Sequence, residues 1–215
     1  MINPIVPSSY QYVETIRMAY GLEYTSICRL HKPCRIKRGC DTEQRTVLLD
    51  FDAVKDKWCK ARKEASCPSV DAIVAKDMRL CFLEIKGWKM FIEKRLDLLP
   101  SENDKESFID RQLQSYNFQD KLCDSIRICE DELGMEDLSS NCDIIYLLIT
   151  DVDVFADPLL ELDATLLMLA NTSTSWETVC ARKMGMEFLA SARLDDRIHY
   201  YFESCRKLDE FMDSL

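Results

Sequence analysis

Three charged residues lie within two segments that otherwise have the composition of buried β-strands. Residues 68–76 contain Asp71, and residues 79–86 contain Glu84 and Lys86, among mainly apolar neighbours. Unpaired charge is rare in strand interiors, because removing a charge from water costs free energy that only a partner can offset. These side chains therefore either point to solvent or are held together for a chemical purpose.

A tight turn would bring the three charges together. Only Asp77 and Met78 separate the two segments, and this spacing predicts a β-hairpin in which Asp71 stands opposite Glu84. Because side chains alternate along a strand, Glu84 and Lys86 share one face of the sheet. We therefore expect the two carboxylates and the ammonium group to converge on one patch.

Such a patch can perform a specific kind of chemistry. Two neighbouring carboxylates repel each other unless a cation lies between them. Mg²⁺ or Mn²⁺ suits a site of oxygen ligands whose shell is completed by water. A lysine beside the ion can orient or deprotonate a water molecule and stabilise charge that develops on a phosphate. The pattern predicts phosphodiester hydrolysis.

Asp71, twelve intervening residues and Glu84-Ile85-Lys86 resemble the motif of the PD-(D/E)xK nuclease superfamily. The resemblance covers about residues 44–150 and implies a restriction-endonuclease-like core with the element order α-β-β-β-α-β. It implies that Asp71, Glu84 and the backbone carbonyl of Ile85 bind Mg²⁺ or Mn²⁺, and that Lys86 is the catalytic lysine. DNA is the expected substrate.

A second motif lies in the helical segment that follows. Gln112-Leu-Gln-Ser-Tyr116 resembles the QxxxY motif of the RecB-like branch of the superfamily. Its two named residues are four positions apart and so share one face of a helix. The resemblance implies that Gln112 and Tyr116 line the active site. The alternative is that Tyr116 is a core aromatic residue with Gln112 as its solvated neighbour.

The chain also departs from the family pattern. Val70 precedes Asp71, where the family often has proline. The first helix of the family often supplies another acid. The candidates for it are Glu43, Asp50 and Asp52, and the sequence does not distinguish between them.

A segment rich in cysteine and basic residues precedes this core. Four potential ligands for a structural Zn²⁺ lie within thirteen residues: Cys28, His31, Cys34 and Cys40. Cys59 and Cys67 could substitute for one of them. Free thiols are the alternative interpretation. The segment contains no acid, and its basic residues are candidates for contacting phosphates: Arg29, Lys32, Arg35, Lys37 and Arg38.

The net charge of −10 is divided unevenly along the chain. Residues 1–95 have 18 Lys and Arg against 12 Asp and Glu, a net charge of +6, whereas residues 96–215 have 10 against 26, a net charge of −16. The basic part contains the candidate motif and could attract a polyanion. An uneven but solvated surface is the alternative. The acidic C-terminal part is a candidate surface for a protein partner.

Composition narrows the class of protein. The 11 cysteines and the absence of a recognisable secretory signal predict reduced thiols and a cytoplasmic location. Cys81, Cys123 and Cys142 are expected to serve as small core residues. The chain has no run of about 18 apolar residues, so no membrane span or membrane partner is expected.

The predicted elements place the motifs in an α/β (α+β) fold with a mixed central sheet flanked by helices. Its expected parts are an N-terminal helix and basic loop (1–43), a nuclease core (44–155) and an acidic, mainly helical C-terminal part (156–215). We expect strands at 69–76, 79–86 and 143–150, with 88–95 extending the second strand. We expect helices at 9–20, within 44–65 after a possible strand-like start, and at 105–133, 157–170 and 195–214, with either state at 185–193.

Three other functions remain open from the sequence. TVLLDFDAV resembles the first motif of haloacid-dehalogenase-like phosphatases, which implies Asp50 as nucleophile, Asp52 as its partner and Thr150 in a second motif. Asp151 and Asp153 form a pair of the kind that binds Mg²⁺-nucleotides. A catalytically inactive nuclease-like module that acts through protein interactions is the non-enzymatic alternative.

Overall fold

The computed structural model of the protein describes residues 8–31, 44–96, 98–152, 176–191 and 197–215. Its strands are β1 Tyr24–Ser26, β2 Val47–Asp50, β3 Ala72–Lys76, β4 Arg79–Lys86, β5 Asp143–Thr150 and β6 Ile198–Ser204. Its α-helices are α1 Ser9–Tyr20, α2 Ile27–Leu30, α3 Phe51–Arg62, α4 Trp88–Phe91, α5 Glu102–Gln114, α6 Phe118–Leu133, α7 Trp176–Ala190 and α8 Leu208–Ser214. A π-helical segment, Ile92–Leu96, continues α4, and 3₁₀ turns span Leu138–Ser140 and Cys205–Lys207.

The strands form one mixed sheet in which the spatial order equals the order in the chain, β1-β2-β3-β4-β5-β6. β1 to β4 are antiparallel neighbours, whereas β5 pairs parallel to β4 and β6 parallel to β5. A parallel connection needs a long crossover, and helices α4 to α6 supply it between β4 and β5. The predicted mixed sheet flanked by helices is therefore confirmed.

The two faces of the sheet are covered unequally. Leu80 and Phe82 of β4 belong to a large core formed with α1, α3, α5, α6 and α7, whereas Cys81 and Leu83 face a smaller core that includes α2 and α8. Since side chains alternate along a strand, Glu84 and Lys86 belong to the face of the large core. The candidate catalytic residues thus lie under the thicker helical layer.

The predicted hairpin is confirmed with its register. Ala72 pairs with Leu83 and Lys76 with Arg79, and Asp77 occupies the turn with a φ of 51°. Aspartate tolerates this left-handed conformation better than most residues, which suits a tight turn. The strand-like start of residues 44–65 is β2, and its following helix is α3; the predicted helix 9–20 and strand 143–150 are also confirmed.

The prediction that residues 88–95 extend β4 is wrong. These residues form α4 and the π-helical segment. Trp88, Ile92 and Leu96 are buried and spaced four residues apart, which is a helical rather than a strand period. The backbone N–H of Trp88 donates to Oδ1 of Asp151 at 2.8 Å, so the next strand's end caps this helix. Strand β4 therefore ends at Lys86, just before this helix.

The predicted single helix at 105–133 is two helices, α5 and α6. The first helix ends at Gln114, and Asn117, with a φ of 45°, directly precedes Phe118, the first residue of the second helix. The break changes which side chains point inward. Cys123, predicted to be in the core, is exposed, while Leu122 and Ser125 are buried; Cys81 and Cys142 are buried as predicted.

The predicted C-terminal helix at 195–214 is wrong over its first half. Residues Ile198–Ser204 form strand β6, and only Leu208–Ser214 form the helix α8. Burial alternates from Ile198 to Phe202, which is the period of a half-covered strand, and the whole segment pairs with β5. Residues 185–190, for which either state was open, lie in α7, and the predicted helix 157–170 lies outside the described residues.

In the part of the chain that the structure describes, no helix is long and apolar enough to cross a membrane.

Ser125 connects α6 to the segment that carries Asp71. Its hydroxyl accepts from the backbone N–H of Val70 at 3.0 Å and donates to the carbonyl of Lys121 at 2.7 Å. Ser125 and Val70 are both fully buried, so water cannot replace this contact. The contact holds the start of β3 against the first turns of α6.

Replacing Ser125 with alanine should lower the free energy of unfolding by about 1–3 kcal/mol, because the buried N–H of Val70 loses its acceptor. Urea denaturation monitored by circular dichroism measures the change. The matched control is Ser214→Ala, since the exposed Ser214 hydroxyl also donates to a carbonyl of its own helix but has no such N–H partner. Equal effects of the two substitutions would contradict the anchoring role of Ser125.

Candidate active site

Asp71 lies where the β3–β4 ladder ends. Its backbone N–H donates to the carbonyl of Leu83 at 2.9 Å, and its carbonyl accepts from the N–H of Phe51 at 3.0 Å. Its carboxylate oxygen Oδ2 then accepts from the backbone N–H of Ile85 at 2.6 Å. The side chain therefore takes the place of a backbone acceptor and is fixed beside the Glu84 segment, as the hairpin predicted.

Glu84 is the only charged side chain among the fully buried polar residues of the described chain, with an exposed fraction of 0%. Its Oε1 lies 2.5 Å from Nζ of Lys86 and 2.6 Å from Nζ of Lys121. Its Oε2 is buried without a hydrogen-bond partner among the described residues. One oxygen of this carboxylate is thus doubly paired and the other is not paired.

Lys86 is held between Glu84 and an aromatic ring. Its Nζ lies 4.8 Å from the centre of the Tyr116 ring, within the range of a cation–π contact. Tyr116 in turn contacts Trp88 edge-on, and the amide of Gln112 donates to the hydroxyl of Ser115 at 3.2 Å. The structure therefore places Tyr116 directly against Lys86, whereas Gln112 is hydrogen-bonded to the end of its own helix.

Lys121 is the site residue that sequence reasoning missed. In a single helix from 105 to 133, Lys121 would be five residues after Tyr116 and point away from it. Because the chain changes direction at Asn117, a separate helix begins at Phe118. The Lys121 side chain, in the first turn of that helix α6, therefore points to Glu84. An asparagine followed by a new apolar period at Phe118 and Leu122 is the signal that could have revealed it.

Burial and the neighbouring charges shift the pKa of Asp71 and the pKa of Lys86. Burial, reinforced by the charge of Glu84, raises the pKa of Asp71 to about 6. Burial alone would lower the pKa of Lys86, but the charges of Glu84 and Asp71 outweigh it and raise that pKa. Lys86 is therefore a charged hydrogen-bond donor at neutral pH, and Asp71 changes its charge just below neutrality.

The donor set suits a hard divalent cation. Asp71 and Glu84 offer carboxylate oxygens, one of them the unpaired Oε2 of Glu84. Ile85 follows Glu84 and donates its backbone N–H to Asp71, while its side chain packs in the small core on the opposite face. All-oxygen ligands favour Mg²⁺ or Mn²⁺ over Zn²⁺. Within the described ranges, no group of three or more His, Cys, Asp or Glu side chains is arranged to hold a metal ion. Any ion here would rely on two carboxylates, a carbonyl and water.

The predicted zinc and phosphate-binding residues are only partly described. Cys28 and His31 line a cleft with Asp151 and Cys205, whereas Cys34 and Cys40 lie outside the described residues. Arg29 is exposed on α2, and Lys32, Arg35, Lys37 and Arg38 also lie outside the described residues. Burial lowers the pKa of His31, which is close enough to Asp151 and Lys86 for their charges to act on it.

The other predicted acids have local partners. Asp50 caps α3 by accepting from the N–H of Ala53 at 3.0 Å, and Asp52 accepts from the hydroxyl of Ser69 at 2.8 Å and pairs with Lys55. Thr150 is buried at the end of β5. Asp151 caps α4, and Glu43 and Asp153 lie outside the described residues.

Comparison of the chain with known proteins found no matching family model and no similar curated protein or solved structure.

Replacing Asp71 with asparagine should stabilise the metal-free protein above about pH 6. The native pKa of about 6 exceeds the ordinary value of 3.8, so the free energy of unfolding falls as the pH rises from about 4 to about 6. Asparagine keeps an acceptor for Ile85 N–H but has no charge to bury. We expect a gain of about 1–3 kcal/mol at pH 7.5 and little change at pH 4, measured by urea denaturation.

Asp137→Asn is the control of opposite sign. Hydrogen bonds from Ser139 and Ser140, with Arg197 nearby, hold the pKa of Asp137 well below its ordinary value. Its substitution should therefore destabilise the protein at pH 7.5. A destabilised Asp71→Asn variant at that pH would contradict the burial of an unfavourable charge at Asp71.

Proposed function

We propose that this protein is a metal-dependent nuclease that hydrolyses phosphodiester bonds in DNA with a PD-(D/E)xK-type site. The observation that carries the proposal is Glu84, a fully buried carboxylate with one unpaired oxygen, beside the carboxylate of Asp71 and two lysines. The unpaired oxygen is the kind of ligand position that a hard cation completes.

Stability alone does not account for such a cluster. Removing ions from water costs several kcal/mol each, and a buried ion pair is often no more stable than apolar residues of similar volume. The neighbouring positions on this face of β4, Leu80 and Phe82, are apolar and fully buried. A leucine at position 84 would suit the core equally well, so the carboxylate is better explained by chemistry than by folding.

Each residue has a role in the proposed reaction. Asp71, Glu84 and the carbonyl of Ile85 would hold Mg²⁺ or Mn²⁺, whose charge would lower the pKa of a water molecule and neutralise the phosphate. Because its raised pKa keeps Lys86 protonated, Lys86 orients the attacking water and stabilises negative charge as a donor rather than as a base. The ring of Tyr116 holds the Lys86 ammonium in position, and Gln112 would line the site beside Tyr116.

The order of elements supports the proposal. A PD-(D/E)xK core has three consecutive strands, a helix and a further strand after its first helix. This chain has β2, β3 and β4 as antiparallel neighbours, then α6, then β5 parallel to β4, with α3 inserted between β2 and β3. Asp71 precedes the second of those strands and Glu84 and Lys86 end the third.

The position of the basic segment supports a polyanionic substrate. α2, which begins that segment, carries the exposed Arg29, and His31 directly after it lies near the Asp151 and Lys86 charges. The basic segment, which belongs to the part of the chain with a net charge of +6, therefore begins near the candidate site. Phosphate contacts of lysine and arginine supply most of the affinity of sequence-independent nucleic-acid binding.

Cleavage of labelled DNA and RNA, single- and double-stranded, with Mg²⁺, Mn²⁺ or EDTA tests this function. We expect DNA cleavage that EDTA abolishes and that Lys86→Ala reduces by about 100-fold or more, because a positioned donor is lost. Lys86→Ala should still fold, since Lys121 remains paired with Glu84. Thermal denaturation checks this.

Lys183→Ala is the matched control. Lys183 also bridges two carboxylates, Glu106 and Asp110, but on the surface between α5 and α7. Its loss should leave cleavage unchanged. A wild-type protein that cleaves no substrate with either metal would favour a nuclease-like module without activity. Cleavage that survives Lys86→Ala would exclude the proposed role of Lys86.

A further inference from the structure

Lys121 pairs with the carboxylate that a metal ion would need. Its Nζ lies 2.6 Å from Oε1 of Glu84, the same oxygen that Lys86 contacts at 2.5 Å. Oε1 is therefore occupied by two ammonium groups, and Oε2 is the oxygen left for a metal ion. The two lysines therefore neutralise Asp71 and Glu84 in the absence of a metal ion.

Charge balance changes when a divalent cation is added to this cluster. The two carboxylates and two ammonium groups sum to zero, so a cation with two charges leaves an excess that anions must balance. Until a phosphodiester supplies that negative charge, like charges repel in this partly buried site, which favours movement of one ammonium away from Glu84 as the metal ion approaches it.

Lys121 is the lysine that can move. Its backbone carbonyl accepts from the Ser125 hydroxyl, and the carbonyl of Phe118 accepts from the Tyr146 hydroxyl at 3.1 Å, so the first turn of α6 is anchored. The side chains of Lys121 and Lys86 are similarly exposed, at 21% and 18%, but Lys86 also lies against the Tyr116 ring, which restrains its ammonium.

We propose that Lys121 binds the phosphate of the nucleic-acid substrate, and that without metal its ammonium supplies positive charge to Glu84 in place of the cation. This inference rests on the proposed function. The ammonium exchanges one oxygen anion for another: it leaves the carboxylate when the cation binds and pairs with a phosphate oxygen at the same site. The exchange links metal binding to substrate binding.

A merely structural lysine would behave differently. If Lys121 only neutralised Glu84, its removal would change metal binding but not the salt dependence of DNA binding. A lysine that also binds the substrate phosphate has a second signature, because its removal eliminates one phosphate contact. The salt slope of DNA binding therefore separates the two roles.

The first measurement is the Mn²⁺ affinity of the protein without nucleic acid, by isothermal titration calorimetry. Lys121→Met should bind Mn²⁺ about three- to tenfold more tightly than wild type, since a positive charge near the ion is removed. Lys121→Arg should remain close to wild type. Lys183→Met, which loses a surface lysine with two acidic partners, should not change the affinity.

The second measurement is the salt dependence of DNA binding with Mn²⁺ present, in a Lys86→Met background that blocks cleavage. Fluorescence anisotropy of a labelled duplex gives the affinity at several salt concentrations. Adding Lys121→Met should weaken binding to all sequences and reduce the salt slope by about 1, the loss of one phosphate contact. Lys121→Arg should preserve the slope.

Tighter Mn²⁺ binding together with a reduced slope supports the proposal. Unchanged or weaker Mn²⁺ binding by a folded Lys121→Met variant, or an unchanged slope, overturns it. Both measurements work without cleavage, so the proposed function can fail on its own: wild type would then bind Mn²⁺ and DNA but cleave nothing. Melting temperatures of the metal-free variants confirm folding, and Lys121→Arg keeps the test valid if Lys121→Met does not fold.

Discussion

A carboxylate buried in the face of a sheet is the constraint on which the structure around it depends. Glu84 is in an interior strand, between β3 and β5, and its side chain is covered by the helical layer. A charge in this position requires cations within hydrogen-bonding distance. Lys86 supplies one from the same strand, and Lys121 supplies the other from α6.

The neighbouring elements are arranged to hold these partners in place. β3 ends its ladder at Asp71, whose side chain replaces a backbone acceptor for Ile85. Ser125 attaches α6 to the residue before Asp71, and Tyr146 of β5 attaches the start of α6. These contacts use buried groups of three elements to fix one charged cluster, which is how a rigid fold positions chemistry.

The cluster also shows a conflict between stability and chemistry. Asp71 has a raised pKa because its charged form is disfavoured by burial and by Glu84, so the fold is weakened by the groups that would bind a metal ion. Hydrogen bonds and ion pairs at the surface usually lower the pKa of a carboxyl group, as Ser139, Ser140 and Arg197 do for Asp137. The sign of the shift therefore distinguishes the candidate site from ordinary surface pairing.

The sequence by itself determined the local features of this protein. A two-residue turn and a period of two specified the hairpin, its register and the shared face of Glu84 and Lys86, because these depend only on neighbouring residues. Tertiary structure decided the rest. The helix at residues 88–95 has its first N–H groups capped by Asp151, and residues 198–204 form a strand that pairs with the edge of β5. Lys121 lies in the site because the chain turns at Asn117. Local apolar spacings, such as Trp88, Ile92 and Leu96, are compatible with these outcomes. The distant partner or the backbone angle that decides each of them is not specified by the local spacing.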